Sequence, residues 1–277
     1  MPALSDSLTE PGERPYRPSA LIAGSIVLHL VAVAAVVVRP QLWPWALAAV
    51  VADHLGITAA GLWPRARLLG PNLTRLPPGA AARGEVAITI DDGPDPEVTP
   101  AVLALLDRHG ARATFFCIGE RIARFPQLAR EIVARGHSIE NHSQRHLHRF
   151  SLLGPRGMRA ELAAAQESIA FATGAAPRFF RAPAGLRNPF LEPVLARLGL
   201  RLVSWTRRGF DTVSRSPGQV LARLTRGLEA GDILLLHDGH AGRTAGGAPV
   251  ILEVLPALLA AVRAAGLKPV TLRAACA

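Results

Sequence analysis

Residues 20–38 are almost uninterruptedly apolar, broken only by Ser25 and His29. That length is enough to span the hydrocarbon core of a bilayer. After Arg39-Pro40-Gln41 a second apolar segment covers 42–63, with Asp53 and His54 near its middle and Trp43, Trp45 and Trp63 at its ends. Ionisable groups are costly in lipid, whereas tryptophan favours the membrane interface. The pattern predicts a two-helix hairpin in which Asp53 and His54 can pair with His29. The competing reading is a single span followed by an interfacial helix. A cleaved signal peptide fits less well, because the apolar run is too long and no small-x-small site precedes a polar mature start.

From Glu85 onward the period changes. Short β-rich apolar runs at 86–90, 113–118, 137–140, 179–181, 201–204, 233–236 and 268–272 alternate with amphipathic helical patterns, among them 127–135, 158–171 and 250–265. Buried strands alternating with helices imply a parallel sheet. Seven such units predict an α/β fold, a distorted (β/α)7-type barrel, closed or nearly so, behind an N-terminal transmembrane hairpin. The expected organisation is a disordered tail over 1–19, a membrane anchor over 20–67, a linker over 68–84 and a catalytic domain over 85–277.

Charge adds a little to this picture. The net charge of +10 comes almost wholly from arginine, Lys268 being the only lysine. The arginines are scattered, with no basic run, which argues against a nucleic-acid partner. A basic surface near anionic lipid is the better reading. Arg14 and Arg17 precede the first apolar segment, and Arg65 and Arg67 follow the second. For a hairpin in a bacterial-type cytoplasmic membrane, the positive-inside rule then puts both ends in the cytoplasm. A single span would put the large domain outside. Cys117 lies in an apolar run and reads as a small core residue; no metal-binding cysteine spacing exists.

The chemistry gathers at strand ends, where a β/α barrel builds its active site. The first strand ends in Asp91-Asp92, and adjacent carboxylates raise each other's pKa unless a cation is near. His142 and His146 are spaced so that one helical turn would bring both imidazoles to one side. With Asp92 they make three metal donors, leaving a position for water, which marks a catalytic rather than a structural site. Asp91 is then free to act as general base, held ionised by Arg181. His237, at the end of the run Ile233-Leu234-Leu235-Leu236, suits a general acid. Asp211 is placed to orient His237 or Arg181. His240 and Asp238 are nearby, more exposed alternatives for the acid.

In these motifs the chain resembles the polysaccharide deacetylase family, the NodB-homology or carbohydrate esterase family 4 domain. The resemblance covers about residues 85–272. Thr89-Ile90-Asp91-Asp92-Gly93-Pro94 is similar to the first family motif, His142-Ser143-Gln144-Arg145-His146 to the second and Arg181-Ala182-Pro183-Ala184-Gly185 to the third. Trp205 through Asp211 resembles a degenerate fourth motif, and Leu235-Leu236-His237 the fifth. The resemblance implies a metal-dependent hydrolase, with zinc as the metal, that removes an N-acyl group from an amino sugar. It also implies an oxyanion donor at the Ala184 N–H and pocket walls at Trp205 and Leu235. Two departures concern the substrate: Ala184 stands where an aromatic is common, and Thr212 follows Asp211 where tryptophan is usual. The expected partners are an N-acylated glycan and membrane lipid, with no nucleic acid. A lipid-linked sugar substrate, O-acetyl ester hydrolysis and a non-catalytic glycan-binding role are the alternatives.

Overall fold

The computed structural model describes residues 12–277. Two apolar helices, α1 (Ala20–Val38) and α2 (Trp43–Leu62), pack side by side and are joined by a short 3-10 turn over Pro40–Leu42. Ser19 caps α1 by accepting from the Ile22 N–H at 3.3 Å, and Pro44 in the first turn of α2 needs no helical partner for its missing N–H. The outward side chains of α1 are strongly apolar yet uncovered: Leu30 is 67% exposed and Val37 76%. Both helices are long and apolar enough to cross a membrane, by length and composition.

Eight parallel strands follow: β1 (Glu85–Asp91), β2 (Ala113–Cys117), β3 (Ser138–Asn141), β4 (Phe179–Phe180), β5 (Arg201–Leu202), β6 (Arg207–Arg208), β7 (Ile233–His237) and β8 (Lys268–Pro269). Their order is β5-β4-β3-β2-β1-β7-β6, and β8 pairs with the start of β1. The expected near-closure is corrected here. No ladder joins β5 to β6, so the sheet is a parallel half-barrel, a distorted form of the β/α barrel. The linker segment covers this region instead: Leu73 donates to the Leu202 carbonyl and accepts from the Ser204 N–H, both at 2.9 Å. β5 stops two residues earlier than its apolar pattern suggests, because its ladder partner β4 is only two residues long.

Strand side chains alternate between faces, and the alternation fixes where chemistry can occur. Ile88, Ile90, Leu234 and Leu236 point to the outer helices, in one large apolar cluster that includes Val102, Leu106, Leu255 and Leu258. Ala87, Ile233 and Leu235 point to the other side, with Phe116 and Trp205. Thr89, Asp91 and His237 share that inner parity. Register places Asp91 directly opposite Phe116 on β2 and His237 on β7. The predicted strand over 268–272 is cut short because the Thr271 side chain caps a short helix, Leu272–Ala275, by accepting from the Ala274 N–H at 3.2 Å.

The tail and linker are tied to the domain more firmly than their composition suggests. Residues 1–11 of the expected disordered tail lie outside the described residues. Arg14, however, donates to Glu192 at 3.0 Å and to the Leu200 carbonyl at 2.8 Å. The end of α2 docks on the domain. The Gly61 carbonyl accepts from the Arg187 N–H at 3.2 Å, and a Cβ at Gly61 would collide with the Arg187 carbonyl. Beyond it, the Pro64 carbonyl accepts from Asn72 at 2.9 Å and from the Ser204 hydroxyl at 2.6 Å.

His137, just before β3, makes a pH test of the fold. Its Nδ1 accepts from the Ala113 N–H at 3.2 Å, so this ring is built to be neutral. Burial, with help from Arg112, pushes its pKa from 6.5 down to about 4. The unfolded chain therefore binds the extra proton first. The stability this group contributes is fully present above about pH 6.5 and is lost as pH falls towards 4, an effect on the order of 2 kcal/mol. Thermal unfolding across that window should show a shallower loss for His137→Gln than for wild type. Parallel profiles would remove His137 as the cause.

Candidate active site

At the C-terminal ends of β1, β3 and β7 the side chains converge on a cavity of about 160 Å³. Asp91, Asp92, His142, His146, Ala184 and His237 line it, together with Leu235 and Trp205. Arg181 and Asp211 lie behind this lining, fully buried. Each catalytic, metal-ligand and pocket-wall residue expected from the motifs is thus at this mouth or in contact with a group that is.

Asp91 and Asp92 are separated by backbone geometry. Asp91 keeps strand conformation, whereas Asp92 has a φ of +74°, a left-handed conformation that costs a non-glycine residue energy. The turn sends its carboxylate towards the histidines. Asp92 Oδ1 lies 3.1 Å from His142 Nε2 and 3.2 Å from His146 Nε2. A Cβ on the next residue, Gly93, would sit 2.6 Å from the Asp238 carboxylate, so only glycine fits there.

The two imidazoles also meet in an unexpected way. The segment after β3 is a loop rather than a helical turn. Ser143 and His146 both take positive φ, +65° and +50°, and the rings come to 4.8 Å between centroids. Ser143 holds the turn by accepting from the His146 N–H at 3.0 Å. His142 Nδ1 is 2.8 Å from the Arg181 carbonyl, which can only accept, so Nδ1 carries the proton and Nε2 faces the cavity. Metal-ligating histidines are commonly oriented in this way. Asp92 Oδ1 is buried with no hydrogen-bond donor. An orphaned carboxylate oxygen facing two imidazole nitrogens fits a divalent cation.

Electrostatics follow from these contacts. Burial would raise the Asp92 pKa, but the adjacent His142 and His240 imidazoles outweigh it and hold the carboxyl well below its ordinary range. Burial lowers the His146 pKa to about 4, helped by the neighbouring His142, so this ring is neutral and able to ligate. Burial opposes protonation of His142, yet Asp91 and Asp92 draw its pKa upward.

Arg181 reaches across the barrel interior to Asp91 Oδ1 at 2.6 Å, Thr89 at 2.8 Å and the Ser204 carbonyl at 2.8 Å. Its guanidinium stacks on Phe116 at 4.1 Å. The other carboxylate oxygen of Asp91 lies 3.9 Å from His142 Nε2, facing the three-donor cluster. Asp211 orients His237 rather than Arg181. Its Oδ1 accepts from His237 Nδ1 at 2.9 Å and its Oδ2 from the His237 N–H at 2.7 Å. Although burial opposes it, this carboxylate raises the His237 pKa. The imidazole can therefore hold a proton on Nε2.

The chain is similar to known proteins. A profile of the polysaccharide deacetylase family matches residues 79–203. A chitooligosaccharide deacetylase of Bradyrhizobium sp. is 36% identical over 156 residues, 56% of this chain and 71% of that one. The chain belongs to the polysaccharide deacetylase family. A peptidoglycan-N-acetylglucosamine deacetylase of Bacillus cereus is 33% identical over 175 residues, covering 62% of this chain and 81% of its own. Among solved structures, a family 4 carbohydrate esterase from Streptomyces lividans in complex with acetate superposes with a TM-score of 0.61 at 33% identity, over 67% of this chain and 91% of that one. This polysaccharide deacetylase is accordingly a metal-dependent hydrolase of non-peptide carbon–nitrogen bonds, acting on an N-acylated sugar.

Two features of the deacetylase site were not legible in its motifs. His240, in the loop after β7, donates from Nδ1 to Asp92 Oδ2 at 3.0 Å, so it braces the donor cluster from outside. Partners of this kind typically contribute 10–100-fold to metal affinity. His240→Ala should therefore weaken metal binding by about that factor, read by competition with a chelating dye, with turnover largely kept at saturating metal. Unchanged affinity would make His240 a surface residue only. Arg208 also lines the cavity, with its guanidinium 5.5 Å from the Trp205 ring and 4.9 Å from Phe210. Its signal was obscured by the many other arginines. Asp238, expected to be exposed, is 1% exposed and accepts from the Thr99 hydroxyl at 2.5 Å. Burial lifts its pKa to about 7, and it buttresses the Gly93 turn instead of facing substrate.

Proposed function

We propose that this polysaccharide deacetylase is a zinc enzyme that removes the acetyl group from an N-acetylglucosamine-type glycan, held at a membrane by the α1–α2 hairpin. The observation that carries the reading is the placing of two charge-paired groups, Asp91 with Arg181 and His237 with Asp211, beside one cluster of three metal donors. Asp92, His142 and His146 would hold the ion, which when bound polarises the acyl carbonyl and lowers the pKa of water. Asp91 accepts the proton of the attacking water, with Arg181 keeping the carboxylate oriented. The Ala184 N–H donates to the oxygen on which negative charge develops. His237 passes its Nε2 proton to the departing amine, and Asp211 stabilises the ring that carries it. Trp205 and Leu235 wall the acyl pocket.

Acetate release from N-acetylated glycan oligomers, measured together with bound metal, tests this reading. His142→Ala should lose acetate release together with the ion held by Asp92, His142 and His146. Full acetate release from His142→Ala would sink the assignment. Paired O-acetyl and N-acetyl substrates separate ester from amide preference.

A second reading concerns where the sugar comes from. The end of α2 is bonded to Arg187, two residues beyond Gly185. Pro64 sits where a Cβ on Gly185 would strike it at 2.7 Å, and Trp205 meets the same point. The hairpin thus supports the cavity rim directly, which favours a sugar presented at the bilayer surface, such as a lipid-linked one. Faster turnover of a lipid-linked N-acyl sugar than of the matching free oligomer would support it; equal turnover of both would count against it.

A further inference from the structure

We propose that the α1–α2 hairpin carries a second metal site, formed by His29, Asp53 and His54, for a late first-row divalent ion such as zinc. One donor atom from each residue lies within 4.8 Å of the others. His29 comes from α1, while Asp53 and His54 come from α2, so one ion would join the two helices. Two imidazoles and a carboxylate are the same donor set as Asp92, His142 and His146, and three protein donors leave a position for water.

The surrounding contacts prepare these atoms for an ion. His29 Nδ1 is 2.8 Å from the Ser25 carbonyl. A carbonyl only accepts, so Nδ1 carries the proton and Nε2 is left as the free donor. His142 is fixed by the same device at the same 2.8 Å. The Ser25 hydroxyl donates to Asp53 Oδ2 at 2.7 Å, which leaves Oδ1 available. Ser25 is the one buried residue of α1, so this support is shielded between the helices. The His29 and His54 rings are 5.2 Å apart and tilted by 49°.

A hydrogen bond between Ser25 and Asp53 would suffice to hold two helices together. It gives no reason for two imidazoles beside it. Among the described residues no arginine or lysine pairs with Asp53. On the membrane reading proposed above, a lone carboxylate at this depth is costly, and a ligated cation offsets its charge. Oxygen and imidazole donors of this mix suit zinc and its neighbours better than calcium or magnesium.

Elemental analysis of the full chain in detergent, stripped with a chelator, reloaded with zinc and desalted, tests the proposal. About two ions per chain are expected. His29→Ala and Asp53→Asn should each hold about one while still releasing acetate, which shows that the enzyme domain remains folded. His142→Ala, with its hairpin untouched, should also retain about one. Cobalt loading of His142→Ala should give the visible absorption of a nitrogen- and oxygen-ligated ion. A single ion in the wild type, or none in His142→Ala, would overturn the proposal. Failure of the hairpin variants to fold would not rescue it, because the His142→Ala count stands alone.

Discussion

Asp91→Asn is expected to lower kcat by about 10²–10⁴-fold, the usual worth of a positioned general base, with bound metal unchanged. Asparagine has nearly the shape of aspartate, so the cavity keeps its outline. It cannot take a proton from water. The metal donors are all on other residues, so the bound ion should remain. This separation of activity from metal content is the informative readout, because loss of Asp92 would remove both. Near wild-type kcat in Asp91→Asn, with metal in place, would show that another group accepts the proton.

Removing Arg181 should cost the fold itself. The residue is 1% exposed, and its partners Asp91, Thr89 and the Ser204 carbonyl all lie inside the barrel. Burial works against its charge, and Asp91 offsets that cost. Arg181→Met would leave the Asp91 carboxylate buried without its cation, a situation that typically costs 3–5 kcal/mol. A large drop in thermal unfolding midpoint is expected. Combining it with Asp91→Asn should recover part of the loss, because the stranded charge is gone. Strict additivity of the two variants would mean that the ion pair is not the source of the effect.

The elements legible in the sequence were those whose local pattern and tertiary role agree. The runs at β1 and β7 are continuous and apolar because both faces of the strand are covered, and the polar residues at their ends line one cavity. The hairpin helices were readable for the same reason: α1 spans the residues that its apolar run marked out. Elsewhere the expected residues come together, but through a different local structure. His142 and His146 do converge, but through left-handed backbone at Ser143 and His146, which spacing cannot reveal. β6 is two arginines long and carries no apolar run at all. Asp238 reads as polar and therefore exposed, whereas its burial depends on Thr99 and the Gly93 turn, both distant in sequence. His240 could be assigned only after the loop after β7 was seen to fold back on Asp92.

The docking of α2 bears on where the enzyme begins. Cutting the chain at residue 68, the border that hydropathy suggests, would remove Gly61 and Pro64 along with the helices. Arg187 would lose a backbone partner, Ser204 a hydroxyl acceptor, and the loop carrying Ala184 and Gly185 the surface it rests on. A soluble fragment trimmed at that border would be an enzyme missing one wall, and its weak activity would say little about the intact protein. The last turn of the apparent anchor belongs, in mechanical terms, to the catalytic unit.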